Sequence, residues 1–193
     1  MLQLGAPYSQ EEIAAAWLAE VTAVADFFAM METAAFFAAP EGVWSPAENL
    51  VHLIKSCRPV IMALTIPKTA LRIRFGWVGH ESRSLAQVRH TYLNDALANG
   101  GQAGGPFLPE VKDDFTAVHQ VDIVAKWQEK GSALTDALAK WSEKDLDNYL
   151  LPHPLLGKMT VREILFFTLY HNLHHVNDVQ RLLQLPETEW FAA

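Results

Sequence analysis

The chain is a succession of apolar stretches whose polar interruptions recur at helical spacing. Residues 13–39 form the most apolar stretch, and their only charges are Glu20, Asp26 and Glu32. On a wheel of roughly 100° per residue these acids lie about 120° apart, so no broad polar face remains. Such a helix is covered on more than one side or forms an oligomer contact. The pattern predicts a first helix from Ser9, with Gln10, Glu11 and Glu12 in its opening turn, to about Ala39. Pro40-Glu41-Gly42 ends it.

A second helix opens at Trp44-Ser45-Pro46-Ala47-Glu48. Ser45 and Glu48 form a capping box, and Pro46 takes the first helical position, where a missing N–H costs nothing. Leu50, Leu53, Ile54, Cys57, Ile61 and Leu64 make its apolar stripe. Pro59 is expected to kink it, and Pro67 to kink or end it. A turn is predicted at 75–79 and a shorter helix over 84–98, closed by Asn99-Gly100-Gly101. Residues 75–117 together read as a long crossover carrying that extra helix.

The third bundle helix is predicted over about 116–142, with Val121, Val124, Trp127, Leu134, Leu138 and Trp141 on one face. Gly131 weakens it unless a close contact needs the missing side chain. Pro152-His153-Pro154 and Gly157 read as a loop. Thr160 and Glu163 form a second capping box, opening a last helix that runs to about Leu185 before Pro186. No segment alternates as a strand does. The expected architecture is all-α: a single domain over 1–193, a four-helix bundle with a long crossover carrying an extra helix.

Composition narrows the partners. Fifteen Lys and Arg against 22 Asp and Glu give a net charge of -7, which repels phosphate backbones and argues against nucleic acid. The charges within 13–39 argue against a membrane span, and no signal peptide is read. Cys57 is the only cysteine, so no internal disulfide forms. A cytoplasmic location is the default expectation.

The chemistry is concentrated in Tyr170-His171-Asn172-Leu173-His174-His175-Val176-Asn177-Asp178. Residues at i and i+4 share a helix face, so His171 and His175 can address one ion. Asp178 follows one turn on, and Ile164, Phe167 and Leu182 place that face toward the bundle interior. A hydrogen-bonded polar cluster without metal explains the pair equally well. A metal site needs a third ligand from a facing helix, and His52 is the candidate. Its wheel position is unfavourable, about 150° from the core stripe at roughly 100° per residue. Periodicity alone reads it as exposed, beside Glu48, Asn49, Lys55 and Ser56. His174 is offset and suits a carboxylate pair or a pocket wall. His153 reads as a loop residue, and His80, His90 and His119 as surface residues. Glu48 reads as a cap rather than a base, and Cys57 as a buried small hydrophobe. No phosphate-cradling glycine loop, G-x-S-x-G or H-E-x-x-H motif is present, so no catalytic residue is assigned.

Three of these segments resemble the DinB-like (DinB/YfiT) superfamily. Trp44 to Leu53 is similar to its W-x-x-x-E-x-L-x-H-L element, His153 to Glu163 to the loop before its last helix, and His171-Asn172-Leu173-His174-His175 to its H-x-x-H-H element. The resemblance implies a four-helix bundle and a divalent metal, zinc or nickel, held by His52, His171 and His175. It also implies a small-molecule substrate, with a low-molecular-weight thiol as a possible cosubstrate, and a homodimer. Where many relatives carry Gln, this chain has Asp178, which is either a fourth ligand or a carboxylate orienting an imidazole. The orienting role is the one expected here. The expected function is thiol transfer to an electrophile. A metal-dependent hydrolase and a non-enzymatic metal- or ligand-binding stress protein are the alternatives.

Overall fold

The computed structural model describes residues 2–110 and 116–191. Part of the expected crossover, 111–115, lies outside the described residues. The chain folds as helices α1 (Gln10–Ala29), α2 (Thr33–Phe37), α3 (Pro46–Thr65), α4 (Lys68–Phe75), α5 (Leu85–His90), α6 (Ala117–Leu138), α7 (Glu143–Asn148) and α8 (Val161–Leu182). A two-stranded hairpin, β1 (Leu150–His153) and β2 (Gly157–Thr160), precedes α8. The fold is all-α with this small sheet as an accessory.

Four long helices form the bundle. α1 and α3 each pack against both α6 and α8. Cross-contacts fix the directions. Trp17 Nε1 donates to the Gly131 carbonyl and Gln120 Nε2 to that of Phe28, so α1 and α6 are antiparallel. Trp141 Nε1 donates to the Leu64 carbonyl, so α3 and the segment led by α6 run the same way. Two consecutive bundle helices that run parallel require a long crossover, here the stretch between α3 and α6.

The ends of the helices follow local chemistry. Ser9, Ser45, Ser84, Ser142 and Thr160 each close a capping box over the residue three positions on. Glu163, the capping-box acid of α8, also accepts from Arg83 Nε and backbone N at 2.9 Å each. The crossover is thereby fastened to the start of the helix that carries His171, His174 and His175.

Several expectations are corrected. The first helix is not continuous to Ala39: α1 stops at Ala29 and α2 begins at Thr33. The cause lies in α6, where the Gln120 side-chain amide takes the carbonyls of Phe28 and Met31 (2.9 and 3.0 Å) and turns the chain. α2 then folds back, placing Phe36 edge-on to Phe28. The third helix ends at Leu138, and Ser142 caps a separate short α7. Val121 is 66% exposed rather than core. The 152–157 loop belongs to a hairpin, in which His153 pairs with Gly157 and a three-residue turn reverses the chain. Gly157 has φ 73°, the left-handed position such a turn needs. α3 runs through Pro59 as one element, and the break falls at Pro67, where α4 departs at 107°. The 84–98 helix is seen as α5 continued by a π-helical stretch, Thr91–Leu97. No single helix among the described residues is long and apolar enough to cross a membrane.

Candidate metal centre

α3 and α8 bring three imidazoles together. His52 lies in the second turn of α3, and His171 and His175 lie one turn apart on α8. Nε2 of His171 is 3.2 Å from Nε2 of His52 and 3.2 Å from Nε2 of His175. One ligand atom from each lies within 4.8 Å of the others. All three side chains are buried, and His52 is only 4% exposed. The wheel position that predicted an exposed His52 is overridden by packing. The polar sector of α3 is covered by α8, by Trp44 (ring centroid 5.0 Å from His52) and by the crossover turn Gly105–Phe107.

The outer ring nitrogens are anchored. His52 Nδ1 donates to the Phe107 carbonyl at 2.8 Å. His175 Nδ1 meets Asn49 Oδ1 at 2.7 Å. Asn49 Nδ2 donates to the carbonyls of Trp44 and Ser45, which makes its Oδ1 the acceptor and His175 Nδ1 the donor. In a neutral imidazole a proton on Nδ1 leaves Nε2 as a bare lone pair. Two such lone pairs therefore point at His171 Nε2. Burial pushes the pKa of His171 and His175 well below the ordinary imidazole value, and the neighbouring histidines add to that. Burial lowers His52 as well, against its bond to Phe107. Convergent neutral imidazoles with oriented lone pairs are the donor set a borderline-soft divalent ion takes, and the second-layer acceptors Asn49 and Phe107 fit that role. The residues present fit the implied group.

Asp178 does not join the cluster. Its carboxylate lies 3.6 Å from both His174 Nε2 and His175 Nδ1 and is paired with Arg181. Asn49 makes the hydrogen bond to His175 Nδ1, and the Asp178 carboxylate stands beside that same nitrogen. His174 faces Asp178 and lies edge-on to Tyr92. His80 is exposed but sits 4.0 Å from Glu163, and His119 Nδ1 meets Thr116 Oγ1 at 3.2 Å. Cys57 is buried, and burial raises its thiol pKa first, with Glu20 adding to it.

Beside the three histidines opens a cavity of about 1410 Å³. Its walls are mostly apolar and come from α3, α8, the crossover and the hairpin. Phe167 stacks on His171 and Trp44 on His175. His153, expected in a loop, ends β1 beside the hairpin turn and lines this cavity. Sequence reasoning missed Asn49, Phe107 and His153. For Asn49 the signal was present, because it shares with His52 the polar sector at the start of α3. Nothing local marks the Phe107 carbonyl.

No curated protein and no solved structure matches this chain. The family model of the DinB superfamily matches residues 15–179, a span that contains α3, most of α8 and all three converging histidines. With that match and this helical bundle, the chain belongs to the DinB superfamily.

Proposed function

We propose that this protein is a metal-dependent enzyme whose His52, His171 and His175 hold one divalent ion, zinc or nickel, and that it activates a small thiol for transfer to an electrophile. The observation that carries the reading is the convergence of three Nε2 atoms, two of them with their lone pairs directed inward by Phe107 and Asn49. A divalent ion held by neutral imidazoles supplies undiminished positive charge, which lowers the pKa of a thiol or water brought to it. The chain's own residues supply the rest. Trp44 and Phe167 wall the histidines on two sides, and the apolar cavity excludes water from a bound organic molecule.

The substrate is a small molecule, and the chain works in the cytoplasm as a homodimer. The outer face of α1 beyond its acidic first turn favours the dimer, since it exposes Leu18, and Met30 just past the helix end, with Asp26 as the exposed charge between them. Val118 and Val121 lie exposed on the adjacent start of α6.

The test is elemental analysis of the purified wild type and of His171→Ala, followed by an assay of electrophiles and esters with and without low-molecular-weight thiols. About one divalent ion per chain, lost in His171→Ala, together with thiol-dependent turnover lost in His52→Ala, supports the proposal. Equal turnover without thiol replaces transfer by hydrolysis. Tight metal binding with no turnover makes the protein a binding protein. Equal metal content in both proteins removes these histidines as the site.

A further inference from the structure

His153 has the opposite tautomer from the two anchored histidines. It sits at the end of β1, where the backbone N–H groups of Leu155 and Leu156 both donate to its Nδ1, at 3.2 and 3.1 Å. An amide N–H only donates, so Nδ1 is the unprotonated nitrogen, and the ring proton of the neutral imidazole is on Nε2. Nε2 has no partner among the described residues, yet it is not sealed from solvent. The ring lines the cavity beside the three histidines and packs on Phe167 at 4.2 Å, while Phe167 stacks on His171 at 5.0 Å. One aromatic ring therefore separates this donor from the converging histidines.

We infer that His153 is a substrate-binding residue whose Nε2–H donates a hydrogen bond to a neutral carbonyl-type oxygen on a mostly apolar molecule in this cavity. The inference rests on the proposed function only in taking this cavity as the place where substrate lies. Charge and lining argue for a neutral ligand. Val60, Ala63, Phe75, Leu97, Phe107 and Leu151 present hydrocarbon. Arg181, the cation of the lining among the described residues, is already engaged by Asp178 and Glu187. Burial lowers the His153 pKa to about 4, so the ring stays neutral and binds by its dipole rather than by charge. A neutral imidazole donor of this kind suits an oxygen that is polar but not ionic.

A purely structural role for His153 would be to hold the hairpin turn through Nδ1, and two substitutions separate the roles. His153→Asn keeps a side-chain acceptor near the Nδ1 position and loses the distal donor. His153→Gln keeps an amide N–H near the Nε2 position and loses the turn acceptor. The probes are acetophenone and its near-isostere α-methylstyrene, which lacks the oxygen. Binding is read by NMR titration of folded protein, with the His153 tautomer read from ring ¹⁵N shifts. The wild type is expected to prefer the ketone by about 3–10-fold, the worth of one hydrogen bond. That preference should vanish in His153→Asn and survive in His153→Gln. An Nδ1–H tautomer, no ketone preference in the wild type, or a preference kept in His153→Asn and lost in His153→Gln overturns the inference. Metal content measured on the same samples reports separately on the metal site, so either reading can fall without the other.

Discussion

Asn49 Oδ1 accepts from His175 Nδ1 at 2.7 Å, while Asn49 Nδ2 donates to the carbonyls of Trp44 (3.2 Å) and Ser45 (3.0 Å). The capping turn of α3 thus determines which way the amide faces, and the amide determines which nitrogen of a histidine on α8 is bare. Asn49→Ala removes that control without touching a ligand. Its affinity for a divalent ion should fall about 10–100-fold, as for other outer-layer partners of metal-bound histidine. Competition with a chromophoric chelator measures this, and an unchanged affinity would show that the amide has no bearing on the site.

Acid should destabilise the metal-free protein in a defined window. His153, His171 and His175 are held neutral by burial, His153 with a pKa of about 4. Unfolded histidine takes up its proton near pH 6.5, so below that the unfolded state binds more protons and stability falls. The stability these three neutral rings contribute is full above about pH 6.5 and is lost progressively as pH falls, the share of His153 down to about pH 4. Denaturant midpoints across this range test it, and His153→Asn should make the slope shallower.

Glu20 is fully buried in α1, and neither carboxylate oxygen has a hydrogen-bond partner. Asn172 Nδ2 is likewise unpartnered. Burial raises the Glu20 pKa well above the ordinary value, and the nearby Asn172 amide offsets only part of the shift. The folded state therefore holds this proton more tightly than the unfolded state. The resulting stability is full below about pH 4.5 and is lost as pH rises through the raised value. Glu20→Gln removes the charge and should stabilise the protein at pH 8 by about 1–3 kcal/mol, with little change at pH 4. A neutral or destabilising effect at pH 8 would mean that the carboxylate is compensated there.

Gly131 is needed for contact. A Cβ at this position would lie 2.5 Å from Val21 Cγ1 and 2.9 Å from Cγ2. The helix-propensity gain from Gly131→Ala, about 1 kcal/mol, is therefore outweighed by overpacking of about 1–3 kcal/mol. Net destabilisation is expected, and adding Val21→Ala should recover much of it. A double-mutant cycle by chemical denaturation reads the coupling, and strict additivity would count against the contact.

Light scattering at micromolar concentration should give a mass near twice 21.6 kDa. Val121→Glu, on the exposed start of α6, should shift it toward the monomer, because a charge in an apolar contact is costly to bury. A wild-type mass near 21.6 kDa would rule the dimer out.

The sequence by itself determined the local features. Ser45 with Glu48 and Thr160 with Glu163 mark where α3 and α8 begin, because a capping box is satisfied within four residues. His171 and His175 share a face because the helical repeat places them there. Gly131 left two readings open, a weak point in the helix or a close approach, and the contact with Val21 decides for the second. What tertiary structure decided lies between elements. His52 is separated from His171 by 119 positions, and only the seating of α8 and the crossover over the polar sector of α3 turns a surface-patterned histidine inward. The break after Ala29 is imposed by Gln120 from another helix, with no glycine or proline at the break itself to signal it. The His153 tautomer depends on how a three-residue turn closes. Periodicity reports which residues share a face. Which faces meet, and which nitrogen keeps its proton there, is decided by packing and by hydrogen bonds between segments distant in the chain.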